Sequence, residues 1–119
     1  MRLVRWNADA MTTKITVVFD NPLQPEEFET GYHAGHLALA EALPGALRVE
    51  AAKVWPKEDG SPTPAYRLVD VYFADYDAAC DAVQTPQAAV WFADLQRLAS
   101  GGARVVFADV ERGNERDQR

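Results

Sequence analysis

The stretch GYHAGHLALAEALPG, residues 31 to 45, carries both histidines of the chain, His33 and His36. An imidazole with its unperturbed pKa of about 6.5 can take or release a proton at neutral pH, so each is a candidate acid or base. Which one can act depends on where the chain aims it. Pro25 at the front and Pro44-Gly45 at the end bracket a helical segment, with Glu26 and Glu27 in its first turn. Phe28, Tyr32, Leu39 and Leu43 recur on it at helical spacing. His36, four residues after Tyr32, shares that apolar face and points inward toward the sheet. Two readings stand side by side: a general base positioned for proton transfer, or a core histidine with one hydrogen bond and no chemistry. His33 is rotated off the face and reads as a solvated or flanking side chain. The pair does not make a metal site, because helical zinc ligands pair best four residues apart and no Cys or carboxylate falls at a matching spacing.

A second candidate lies far along the chain. Trp91, Leu95 and Leu98 form an inward stripe on a later helix, and Asp94, three residues after Trp91, lies beside it. Asp94 can orient the histidine or hold a substrate; its plain alternative is a cap or surface salt bridge. On the strand at residues 65 to 73, Tyr66, Leu68, Asp70 and Tyr72 share one face by alternation, and Arg67, Val69, Val71 and Phe73 share the other. The single cysteine, Cys80, lies among alanines and reads as a packed helix residue. No Gly-rich phosphate loop, nucleophile elbow or Ser-His-Asp order occurs, which disfavours nucleotide binding and the familiar hydrolase routes.

The elements that must place these residues follow from periodicity. Strands are expected at 14 to 19, 46 to 55, 65 to 73 and 103 to 110, where β-branched and alternating residues concentrate. The first helix runs from Pro25 to about Leu43. A second helical region from Asp77 to Ala99 is cut in two at Thr85-Pro86, and Gly101-Gly102 ends it. The order strand, helix, strand, strand, helices, strand is the ferredoxin-like βαββαβ arrangement, an α+β fold with one antiparallel four-stranded sheet covered by helices on one face. Nothing in a 119-residue chain is left to cover the other face, so a homodimer is expected. Residues 1 to 10 read as an extension, 11 to 111 as the domain, and 112 to 119 as a polar tail; Met1 and Met11 are alternative starts. A net charge of -6 without basic runs argues against nucleic acid. The absence of a signal-like or membrane-length apolar segment makes the cytoplasm the expected location, with no membrane partner.

Taken together, KITVVF, PEEFETGYHAGHLALAEALPG, AYRLVDVYF and FADLQRLASGG before VVFADV resemble the EthD family of small dimeric α+β barrel proteins, from about Lys14 to Val110. Its most specific pieces are Tyr32, His36 and the Leu43-Pro44-Gly45 stop, then Ala93-Asp94-Leu95, then Asp70 with Tyr72. The resemblance implies an architecture shared with cofactor-free cyclases, isomerases and monooxygenases acting on small aromatic or polyketide-like molecules, and with haem-degrading barrels. The expected protein is therefore a cofactor-independent enzyme for a small apolar or aromatic ligand. Its catalytic residues are His36, Tyr32 and Asp94, and its substrate contacts are Val17, Phe19, Leu39, Asp70, Tyr72, Trp91 and Leu95. Isomerisation, cyclisation, dehydration and oxygenation all remain open. The alternatives are a non-catalytic dimer that binds a hydrophobic ligand or assists an oxygenase system, and haem binding through His33 or His36.

Overall fold

A computed structural model of the chain describes residues 12–113. The expected extension, including Trp6 and the alternative start Met11, and the tail from residue 114 lie outside the described residues. Strand β1 spans Thr13–Phe19, and Thr13, Ile15, Val17 and Phe19 are all buried while the residues between them are half-buried. Helix α1 covers Pro25–Gly31 and opens on its proline, as the missing amide requires. Tyr32–His36 then form a wider π turn, and α2 follows at Leu37–Glu41. The continuous helix expected from Pro25 to Leu43 is therefore interrupted.

The interruption has a geometric cause in the sequence. Phe28, Tyr32, His36 and Ala40 are all buried and lie four residues apart. An uninterrupted α-helix turns about 100° per residue, so three such steps would carry the stripe about 120° around the axis. A turn closed five residues apart takes up the excess and keeps the stripe on the core. Gly35 makes it possible by adopting φ 135, ψ 11, a conformation open to glycine and strained for other residues.

Strand β2 spans Arg48–Lys53 and β3 spans Arg67–Phe73, joined by the turn-rich loop that KEDGSPTP forecasts. Strand β2 is shorter than expected at both ends and β3 at its start; Trp55 is 87% exposed. Helix α3 (Tyr76–Ala82) is capped by Asp75, whose side chain accepts from the Ala78 amide at 2.8 Å. Helix α4 (Pro86–Leu98) is capped by Thr85, which accepts from the Ala88 amide at 3.2 Å. Strand β4 (Ala103–Asp109) completes an antiparallel sheet in the order β2-β3-β1-β4. This is the ferredoxin-like α+β fold.

Cross-strand register separates the two sheet faces. Val17 pairs with Val69 and Ile15 with Val71, and these side chains meet Phe28, Tyr32, Ala40, Ala79, Trp91 and Leu95 in one buried core. Thr16 pairs with Asp70 and Lys14 with Tyr72, on the face turned away from the helices. That open face carries a short Thr16–Asp70 hydrogen bond, a Lys14–Asp70 ion pair at 3.6 Å, and Tyr72 donating to Glu50 at 3.0 Å. Close packing also fixes how α1 meets α4. A Cβ on Gly31 would come within 2.7 Å of Arg97 Nη1 and Leu98 Cδ2. Among the described residues, no helix is long and apolar enough to cross a membrane.

Candidate active site

The π turn delivers His36 to the interior, where the residue is 1% exposed. Its ring meets Phe19 and Tyr32, each at a centroid distance of 5.8 Å. From α4, Asp94 reaches it: His36 Nδ1 and Asp94 Oδ2 are 2.8 Å apart. The other Asp94 oxygen accepts from Arg97 Nε at 3.1 Å and Nη2 at 2.6 Å. Burial pushes the Asp94 carboxyl up, but the hydrogen bonds and charge of Arg97 and His36 outweigh it and hold the group below its ordinary value. The carboxylate is thus ionised at neutral pH and can only accept. Nδ1 must therefore carry the proton of that bond, and when the ring is neutral Nε2 presents a lone pair. Nε2 is buried and has no hydrogen-bond partner.

The structure brings three expected residues together: Tyr32, His36 and Asp94 form one connected group. Phe19 packs on the Tyr32 and His36 rings, and Trp91, Leu95 and Val17 belong to the same buried core. Leu39 packs against the core from its edge. It is half-buried and lines an open cleft of about 480 Å³ on the outer side of α2 and α4, with Ala89, Val90, Ala93, Asp94 and Arg97. Asp70 and Tyr72 do not join the site. Strand alternation places them on the opposite sheet face, so Tyr72 cannot line a pocket with Phe19 and Trp91. His33 is exposed, as expected, and its Nε2 lies 3.1 Å from Glu29 Oε1.

Four participants, Arg67, Tyr66, Glu29 and Arg97, were not singled out from sequence. Arg67 is 5% exposed and sends Nη2 to both Glu29 oxygens, at 3.0 and 3.1 Å. Tyr66 donates its hydroxyl to Glu29 at 2.5 Å. Burial pushes the Glu29 carboxyl up, and the bonds from Tyr66, Arg67 and His33 bring it below its ordinary value. The signal for Arg67 was present: a charged residue occupies the same alternation phase as Val69, Val71 and Phe73. Arg97, an ordinary surface residue by its helical position, is recognisable only from the Asp94 contact.

Comparison with known proteins agrees with this architecture. An uncharacterized 11.0 kDa protein in the thcB-thcC intergenic region of Rhodococcus erythropolis is 33% identical over 98 residues, covering 82% of this chain and 94% of that one. An ethyl tert-butyl ether degradation (EthD) family protein from Bacillus halodurans superposes with a TM-score of 0.74 at 18% identity, covering 89% of this chain and 100% of the other. SnoaB, a cofactor-independent oxygenase from Streptomyces nogalater, gives 0.61 at 17% identity, over 87% and 96% of the two chains. A dimeric ferredoxin-like protein of unknown function from Thermobifida fusca gives 0.62 at 13% identity, over 92% and 100%. Residues 20–102 match the EthD domain. The match spans α1, the π turn, Asp94 and the glycine turn before β4, and on this ground the chain belongs to the EthD family.

Proposed function

We propose that the protein is a cofactor-independent enzyme that moves a proton on a small apolar or aromatic molecule, with His36 as general base. One observation carries the reading: a buried imidazole held by an ionised carboxylate at 2.8 Å, its second nitrogen buried and without a partner. Removing a substrate proton to Nε2 creates an imidazolium, which Asp94 stabilises through the bond already in place. Asp94 is a positioning residue, and Arg97 anchors it from the solvent side. Tyr32 is the acid partner. Burial above all raises its phenol, so the hydroxyl is protonated at neutral pH and can return a proton. The rings of Phe19 and Phe28, packed against His36 and Tyr32, suit an aromatic or polyketide-like ligand.

Proton transfer of this kind serves isomerisation, cyclisation or dehydration, and it can activate a substrate toward oxygen. The fold likeness to SnoaB supports including oxygenation. A homodimer through the open sheet face completes the reading, supported by the description of the Thermobifida fusca neighbour as dimeric. The test is His36→Gln, assayed on a ligand identified by mass spectrometry of purified protein. We expect the fold to persist and turnover to fall about 100-fold or more. Unchanged turnover would refute the base. Ligand binding without turnover in the unaltered protein would favour the non-catalytic carrier instead.

A further inference from the structure

Four buried side-chain polar atoms among the described residues have no hydrogen-bond partner: His36 Nε2, Tyr32 Oη, Arg67 Nη1 and Trp91 Nε1. A base at His36 accounts for only the first. Arg67 lies among aromatic rings, its Cζ 4.6 Å from the Tyr32 centroid, 5.3 Å from Tyr66 and 5.7 Å from Phe28. Its Nη2 is committed to Glu29, whose charge is further shared with Tyr66 and His33. Nη1 keeps its N–H groups unspent in the interior. Burial of Tyr32 keeps its hydroxyl protonated, although Arg67 pulls the other way. The Tyr32 ring lies against both the guanidinium, 4.6 Å from its centroid, and the His36 ring, 5.8 Å from it. Two donors without partners, one of them charged, thus belong to the same packed group as the base. Buried donors of this kind are unfavourable unless an acceptor fills the position.

We propose that Arg67 Nη1 and Tyr32 Oη form an oxyanion site, which holds the oxygen of a phenolate or enolate while His36 Nε2 holds the proton removed from it. The substrate class is then a hydroxyaryl or enolisable carbonyl compound; the destination of the proton rests on the reading of His36 as base. In the step, an O–H or C–H bond of the substrate breaks and an N–H bond forms at Nε2. The electron pair stays on the substrate with its charge on oxygen, and nothing is oxidised or reduced. Lys53, the register partner of Arg67 on the same sheet face, adds positive charge at the exposed rim. Glu29 balances Arg67 before substrate arrives.

Two probes separate the two oxygen sources: p-nitrophenol for phenols and acetylacetone for enols, each followed by the absorbance of its anion at a pH below its ionisation. We expect excess protein to raise the anion signal of at least one probe saturably, equivalent to a fall of about 1 unit in its apparent pKa. Tyr32→Phe, which retains the ring packing, and Arg67→Met should each reduce that shift. His36→Gln should keep the part of the shift that the two donors supply, because both remain. No saturable shift with either probe would overturn the proposal, as would an undiminished shift in both Tyr32→Phe and Arg67→Met. A shift lost in His36→Gln but kept in the other two would also overturn it, placing the anion on the imidazole. The turnover of His36→Gln decides the base reading separately, whatever the probes show.

Discussion

Substituting Gly35 by alanine tests whether the π turn is what aims His36. A Cβ at Gly35 would meet nothing within 4 Å, so no neighbour has to move. The whole cost is then backbone strain at φ 135, about 1–3 kcal/mol for a residue forced into such a region. Alanine recovers about 0.4–1 kcal/mol by stiffening the unfolded chain, which leaves a net loss of up to about 2.6 kcal/mol, about 1.3 kcal/mol at mid-range. For a domain of this size the mid-range loss is a fall in melting temperature of about 5–10 °C. Gly60→Ala is the matched control. Gly60 has φ 79 and equally empty surroundings, but it lies in the loop between β2 and β3. Calorimetry and turnover are measured on both. We expect both variants to lose stability, and only Gly35→Ala to lose turnover beyond what its unfolded fraction explains. A Gly35→Ala protein that melts and turns over like the original would show that the turn accepts a side chain and that the geometric account of His36 is wrong.

Acid should destabilise the fold through Asp94 and Glu29, whose carboxyls are held below their ordinary values of 3.8 and 4.5. Their contribution is present above those values and is lost as pH falls through the lower folded ones. The melting temperature should thus be level down to about pH 5 and fall below it, and Asp94→Asn with Glu29→Gln should flatten that fall; an acid limb equally steep in the double variant would contradict the assignment. Gly101→Ala places a Cβ 1.8 Å from the Asn21 carbonyl oxygen and should cost about 3 kcal/mol or more in a denaturant titration. Light scattering should give a dimer mass at micromolar concentration, and Leu68→Asp with Val106→Asp on the open sheet face should reduce it to a monomer.

The positions of the strands along the chain and the split of the second helical region were legible because their signals are local: alternation in KITVVF and RLVDVYF, and a proline after threonine at 85–86. Periodicity alone also turned His36 inward. The π turn was not legible in that way, since Gly35 inside a helical pattern carries no mark of its own. The spacing of four between Phe28, Tyr32, His36 and Ala40 is its only trace. Asp70 and Tyr72 were grouped with the helix-side pocket although their alternation phase opposes that of Val69 and Val71. Parity along a strand is a stronger constraint than the chemical appeal of a side chain. The pairing of Asp94 with His36 joins residues 58 positions apart, and no sequence rule fixes where two helices touch.

The central place of β1 in the sheet bears on how the chain is made. Both of its partners come later in the sequence: β3 ends at Phe73, and β4 ends at Asp109, about 90 residues beyond the end of β1. During synthesis at about 5–20 residues per second, β1 waits roughly 5–20 s before its second edge can be covered. Throughout that interval the run Ile15-Thr16-Val17-Val18-Phe19 has high β-propensity and no charge or proline within it, the composition that self-associates when exposed. Lys14 before it, with Asp20 and Pro22 after it, are the residues that break such association. The nascent chain therefore depends on its flanking residues at a stage when the finished sheet cannot yet protect it.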